Sequence, residues 1–584
     1  MSIHRNNVTQ MAAMLGKSPP TLTENGALAL ATTGKAVVDY FFKITQDSSP
    51  ETVISLLEKS WEENPLMTLK IIGYIRSCQK GCPGQGARDP SMVAYQWLHK
   101  KYYKVLKTNL PVLLQLGSWR DYSQLWKKLS HEGYTSRSIL AYWAISLFTI
   151  SEKIDKWLSE HDLSKKAYLQ SPFHDRVPLD QVAVKAAMVY KAAVTGEAMI
   201  MSKQECLSLG QWKSLYPLPD IENIMAVKYV PPRKSGKQHP NNVIRSILRR
   251  YLNQISDSYF NETYVKPGKK LLNLVETAVC HGHHQDINYS HVSSLANVRH
   301  MNSFKHYDRE RYEKYLEEVA ANKASINSSR IQPHLLMEKT LHGRMDDDVA
   351  NALWQGFHQY LDKEGVDLTG WFPIVDTSGS MMTCHSYDNE HNYVQLKVVP
   401  LYPALALGMI IAERNRGSYK NKFMTFDKEP QIREISGDTL KERIKSVFNP
   451  YGLNTNFVKV AEEMVSLYEK VQVTPEETIK KLVILTDMEH DDYKLTGFTE
   501  GLYSSYYAFA EVFKQAKYPV PTMVFWNMKG NNVHFPVLSQ EIDVGLISGF
   551  SIDILYLLLK SGQYTPEKLV EYALSHPAFD QLTV

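Results

Sequence analysis

PIVDTSGSM occupies residues 373–381, and its reading decides the fold of the C-terminal part of this 584-residue chain. The apolar run 371–375 is too short for a helix and stops at Asp376 and a Ser/Gly turn, which predicts a buried strand. Similar runs recur at 422–426, 482–486 and 521–526. Between them, apolar residues three and four apart predict helices at about 394–414, 439–447, 457–471 and 503–516. Strands that are apolar throughout and alternate with helices form a parallel sheet covered on both faces, so a doubly wound α/β domain is expected, beginning near residues 363–370.

Asp376 ends the first strand, and two more segments matter beside it. YGLNTNF (451–457) carries Thr455, and VILTDMEHD (483–491) places Asp487 at the end of a later strand. In an open parallel sheet, ligands bind beyond the carboxyl ends of the strands, where strand order reverses. Asp376, Ser378, Ser380, Thr455 and Asp487 would there offer only hydroxyl and carboxylate oxygens, the set preferred by Mg²⁺ or another hard divalent cation. No cysteine or paired histidine favours zinc. Ser378 and Ser380 are expected on the metal, with Gly379 permitting the tight turn between them. A coordination position would remain for a carboxylate from a partner protein. The alternative is that these side chains only cap helices and tie loops together.

Asp-x-Ser-x-Ser followed by a distal Thr and a distal Asp resembles the metal-ion-dependent adhesion site (MIDAS) of von Willebrand factor type A (vWA) domains. The resemblance implies that residues 366–584 form a vWA domain with a Rossmann-like sheet and that the five residues above hold its cation.

Residues 1–365 read differently. Helical periodicity at 52–63, 91–116, 122–129, 136–158 and 180–195 is separated by turn clusters such as 81–86 and 217–220, and strand-like alternation is almost absent. Antiparallel helix pairs joined by such turns build a bundle or a curved solenoid, although no repeat of fixed period is visible.

A chain of this length exceeds what one hydrophobic core supports. Apolar residues at 43% and charged residues at 22% are those of an ordinary globular protein. Five scattered cysteines argue against a disulfide framework. The first twenty residues lack a signal-peptide core and no run is long enough to span a membrane, so an intracellular, cytoplasmic protein is expected.

The net charge of +4 hides an asymmetry: 46 basic against 35 acidic side chains in residues 1–365, and 20 against 27 in 366–584. No acidic residue lies between Glu222 and Asp257, whereas Lys228, Arg233, Lys234, Lys237, Arg245, Arg249 and Arg250 do, with Tyr229 and Tyr251 interleaved. Such a segment can neutralise phosphates and stack on unpaired bases. Lys100, Lys101, Lys104, Lys107, Arg120, Lys127 and Lys128 form a second basic stretch. Both could equally be solvated faces, or pair with the acidic C-terminal part.

The segments LTENGALALATTGKAVVDYFF, LLEKSWEENPLMTLKIIGYIRSC, NLPVLLQLGSWRDYSQLW and INYSHVSSLANVRHMNSFKHYDRERYEKYLEEV are similar to a family of unassigned function, found in eukaryotes and large DNA viruses, that pairs a helical domain with a vWA domain. More distantly, the fragments around Arg76, Arg88-Asp89 and Gly117-Ser118-Trp119-Arg120-Asp121 resemble the module (TROVE) shared by telomerase-associated, Ro and vault proteins. That likeness implies HEAT-like helical repeats, possible closure into a ring as in the Ro ribonucleoprotein autoantigen, and binding of single-stranded or misfolded RNA.

Other candidates carry less. Cys280, His281, His283 and His284 crowd into five residues without a second ligand pair, and the glycines at 81–86 lack the lysine and hydroxyl of a phosphate-binding loop. No nucleophile–base spacing predicts a triad, and the acidic run at 487–492 lacks a second metal set, so a non-enzyme is expected. The leading expectation is an RNA-binding protein with a Mg²⁺-binding vWA domain. The alternative is a protein–protein scaffold, or a virion component if the source is viral, that uses the metal site to grip an acidic residue.

Overall fold

The computed structural model describes residues 20–129 and 225–584, apart from interruptions at 24–27, 80, 237–238, 252–255, 273, 327, 329–330, 388–392, 427–428, 449–456, 490–504, 531–533 and 560–563. It divides into two compact units, Met1–Ala94 with Asn288–Asp580, and Tyr95–Ile287 with Gln581–Val584. Helices surround a single six-stranded sheet in the first unit.

That sheet has the order β10-β9-β8-β3-β6-β7, built from β3 (Trp371–Asp376), β6 (Lys422–Phe426), β7 (Ile432–Glu434), β8 (Lys481–Thr486), β9 (Thr522–Asn527) and β10 (Val544–Ser548). All neighbours are parallel except the edge pair β6 and β7. The next strand of this sheet in sequence after β3, β6, lies on one side of it and β8 lies on the other, so strand order reverses at β3. The edge strand β7 and a small hairpin of β4 (His385–Tyr387) with β5 (Tyr393–Gln395) carry no apolar run, whereas β10 at the other edge is buried throughout and apolar but for Gly545 and Ser548.

Both faces of the sheet are covered. Helix α12 (Leu401–Arg414) is buried from Leu401 to Ala412, because it lies between the sheet and α10 (Pro333–Leu341), and a helix enclosed on all sides has no use for a polar face. Gly408 allows the closest approach, since a Cβ there would stand 2.6 Å from Val375 Cγ2. On the other face, Phe457 of α14 (Phe457–Lys470) packs its ring 5.3 Å from Phe426 and 5.6 Å from Phe525. The helix expected at 394–414 begins only at Leu401. Tyr393–Gln395 is instead committed to the hairpin, and the β-branched Val398-Val399 before Pro400 disfavours an earlier helical start.

Segments from the beginning of the chain belong to this same unit. The helices are α1 (Ala36–Lys43), α2 (Pro50–Glu63) and α3 (Pro65–Arg76). Ser49 Oγ caps α2 by accepting from Thr52 N at 3.1 Å, and Asn64 Oδ1 caps α3 by accepting from Met67 N at 3.0 Å; each helix opens on proline, whose missing N–H is no loss there. The C-terminal end of α1 sits over the carboxyl ends of two strands. Asn527 Nδ2 donates to Phe42 O at 3.1 Å, and Ser548 Oγ donates to Phe41 O and Ile44 O at 2.9 and 3.0 Å. Gln85 Nε2 adds bonds to Ile44 O and Ser548 Oγ, both at 2.9 Å.

The second unit is helical where it is described. It takes in the C-terminal end of α4 (Arg88–Lys101), then α5 (Tyr103–Leu116), α6 (Trp119–Leu129) and α7 (Pro240–Tyr251), followed by shorter turns. The stretch expected as one helix over 91–116 is broken at Tyr102, the residue between α4 and α5. The helices expected at 136–158 and 180–195 lie outside the described residues. No helix among the described residues is long and apolar enough to cross a membrane.

Candidate cation site and basic segments

Asp376, the last residue of β3, is fully buried. Its Oδ1 accepts from Ser378 N at 3.0 Å, which folds the backbone back over the strand end, and its Oδ2 accepts from Thr486 Oγ1 at 2.7 Å on the adjacent strand β8. Ser378 Oγ and Ser380 Oγ stand 3.0 Å apart; Ser378 is buried and Ser380 half-buried. Gly379 opens a 3-10 turn, Gly379–Met382, and is not among the glycines with positive φ. The helical turn itself, rather than glycine's access to left-handed backbone, therefore brings the two hydroxyls together.

Asp487, the first residue after β8, is also fully buried, and its Oδ1 accepts from Glu489 N at 3.2 Å. Met488 between them takes a left-handed backbone at φ 68°, and Thr486 Oγ1 accepts its N–H at 3.1 Å. Asp376 and Asp487 thus flank the point where strand order reverses, on the two central strands. Burial, and secondly the charge of Asp487, push the Asp376 carboxyl well above the usual carboxylate range.

A residue absent from the sequence reading completes this edge. Lys529, two residues beyond β9, is buried and its Nζ lies 3.5 Å from Asp487 Oδ2. Its backbone is clamped at both ends: Lys529 N donates to Asn527 Oδ1 at 3.0 Å, and Lys529 O accepts from Thr45 Oγ1 at 3.3 Å. No spacing rule could have found it, because a lone lysine after a strand is usually a solvated one. Further out, Lys43 of α1 is buried within the fields of Asp39 and Glu489, and desolvation lowers it to about 8.

The donor set suits a hard divalent cation. Two serine hydroxyls 3.0 Å apart beside two fully buried carboxyl groups supply only oxygen. Thr455 lies outside the described residues. Among the described residues no cluster of three His, Cys, Asp or Glu side chains has metal-site geometry; Cys280 is exposed, and so are His281 and His283.

The basic residues of the 222–257 segment fall into two groups. Arg245 is buried, donating to Asp257 Oδ1 (2.9 and 3.1 Å), Asn261 Oδ1 (2.7 Å) and Pro231 O (3.2 Å), with its guanidinium over the Phe260 ring. Arg249 shares Asp257 at 3.6 Å, and Lys228 pairs with Glu276 at 3.1 Å. Arg233 and Lys234 are exposed. Lys237 and the side chain of Arg250 lie outside the described residues. In the second basic stretch Lys100, Lys101, Lys104, Arg120, Lys127 and Lys128 are exposed and Lys107 is half-buried. The single acid among them, Asp121, is turned inward, accepting from Ser118 N at 2.9 Å.

Fold and site together define a protein with a helical part and an α/β part whose sheet carries an oxygen-lined edge. Residues 23–217 and 227–366 match the family model described as Domain of unknown function (DUF2828), and 372–577 match that described as Domain of unknown function (DUF7788). The first match covers more than half of the chain, which belongs to the DUF2828 family. The chain is also 24% identical over 564 residues, 95% of its length and 87% of the relative's, to "Uncharacterized protein L728" of Acanthamoeba polyphaga mimivirus. No solved structure matches it.

Proposed function

We propose that the α/β part is a vWA domain with a functional MIDAS, and that the protein is a binding protein, not an enzyme, whose bound cation grips a carboxylate of a partner protein. Asp376, Ser378, Ser380 and Asp487 would hold the ion, with Thr455 as a further hydroxyl ligand. Bound Mg²⁺ would supply a Lewis-acidic coordination position for the partner's carboxylate. The chain's own residues do the rest: the Asp376 turn and the 3-10 turn orient the two hydroxyls, and Thr486 fixes the Asp376 carboxylate. The observation that carries this reading is the juxtaposition of two fully buried acids from adjacent central strands with the paired serine hydroxyls, because the single charge of Lys529 offsets only one of the two acids and the other is costly to ionise there without a further cation. The test is thermal unfolding of the full chain in Mg²⁺ and in chelator. A hundredfold excess over Kd adds about 2.7 kcal/mol, and this rise should vanish in Asp487→Ala; an equal rise in both proteins rejects the site.

A second reading is favoured by one observation: six of the seven cations of the 100–128 stretch are exposed, and its only acid faces inward. We infer a contact surface for single-stranded RNA there, in a helical part of HEAT-like, TROVE-related character, with Arg233 and Lys234 as further phosphate contacts. Anisotropy of a fluorescent single-stranded RNA should show affinity falling steeply with salt and weakening in Lys100→Ala/Lys101→Ala/Lys104→Ala. Salt-insensitive binding, or the same affinity in the triple variant, rejects it.

A further inference from the structure

We infer that Lys529 is a built-in counter-ion of the cation site, and that a divalent ion enters only by releasing the Lys529 ammonium from Asp487. This rests on the cation-binding reading above and deepens it by assigning what sets the site's affinity.

Three observations support the assignment. Lys529 is 6% exposed while Asp487 is fully buried, and their charged atoms are 3.5 Å apart. Long flexible lysines are rarely enclosed unless paired. The backbone that carries Lys529 is built to hold it: Asn527 Oδ1 accepts from both Lys529 N (3.0 Å) and Gly530 N (3.1 Å), and Thr45 Oγ1 donates to Lys529 O. Gly530 has φ 76°, and a Cβ there would stand 2.3 Å from Thr45 Oγ1, so the chain can turn under Thr45 only with glycine at that position. The ammonium is thereby aimed at the carboxylate that the proposed metal also needs. A monovalent cation already in place lowers the gain on binding a divalent one, because the pair must be broken first. The site would hold its ion weakly and stay closed at low cation concentration.

The experiment is a Mn²⁺ titration of the full chain by electron paramagnetic resonance, for the wild type and for Lys529→Met, which keeps the side chain's bulk and removes its charge. Mn²⁺ affinity should rise about tenfold or more in the variant, since Asp487 is then left without its partner. Equal or weaker affinity in Lys529→Met, with clear binding by the wild type, overturns the inference and leaves the cation site standing. Binding by neither protein overturns the cation site and the inference with it. A wild-type readout covers the case where the variant fails to fold: acylation of Lys529 by an amine-reactive ester, followed by peptide mapping, should increase at saturating Mn²⁺. Unchanged protection of Lys529 in Mn²⁺ would also overturn it.

Discussion

Thr486 Oγ1 donates to Asp376 Oδ2 at 2.7 Å, joining the ends of β8 and β3 where strand order reverses. Both partners are fully buried, so the hydrogen bond fixes one oxygen of Asp376 in a single direction. Removing the charge while keeping the shape separates its structural role from a cation-binding one. Asp376→Asn should unfold in chelator at the same temperature as the wild type or higher, because one of two mutually repelling buried acids is gone, and should lose the Mg²⁺-dependent rise. Thermal unfolding with and without Mg²⁺ checks this; a rise that persists in the variant contradicts the role given to Asp376.

Arg245 tests which of the basic residues are structural. Arg245→Ala should cost about 2–4 kcal/mol in denaturant unfolding, since it strips Asp257, Asn261 and Pro231 O of their donor. Arg233→Ala and Lys234→Ala, at exposed positions, should stay within about 0.5 kcal/mol. A cost for Arg245 as small as theirs would show that the buried ion pair contributes little.

Glu413 joins three helices. Its carboxylate accepts from Trp354 Nε1 (2.7 Å) and His358 Nε2 (2.8 Å) of α11 (Asp347–Lys363), and from Arg443 (3.0 Å) of α13 (Leu440–Val447). Glu413→Ala leaves those donors facing a cavity, and a loss of about 3 kcal/mol is expected in urea unfolding. Glu413→Gln, which keeps an acceptor, should cost less. Equal losses would point to packing and not to the hydrogen bonds.

His334 predicts acid sensitivity. Burial lowers its pKa to about 3 from the ordinary 6.5, and its Nδ1 has no hydrogen-bond partner. The unfolded chain takes up a proton below about pH 6.5 that the folded chain refuses until near pH 3, so stability should fall with decreasing pH across that window, by up to about 1.4 kcal/mol per pH unit from this one group. His334→Phe should flatten that part of the stability–pH curve, read from denaturant midpoints between pH 7 and 4. An unchanged curve would mean that His334 is protonated in the folded state.

Much of the central sheet could be read from the chain because each of its four inner strands is apolar on both faces. Lys422–Phe426 appears at the expected residues, and the others shift by no more than one at either end. The edge strand β7, with its Ile432–Glu434 pattern, is mostly exposed and too short for periodicity to show. The contribution of α1 to α3 to the sheet-bearing unit was likewise invisible, since helical periodicity says which face is buried but not against what. The Asp376 and Asp487 positions were legible from strand ends alone. Lys529 was not, because its role comes from the Asn527 and Thr45 contacts that bend the chain toward Asp487.

Stoichiometric cation binding by the full chain is the most direct test of the central claim. Equilibrium dialysis against Mn²⁺, followed by metal analysis, should recover about one ion per chain for the wild type and none above background for the Asp376→Ala/Asp487→Ala double variant. Wild-type protein that retains no Mn²⁺ at millimolar free concentration, or a double variant that retains as much, would contradict it.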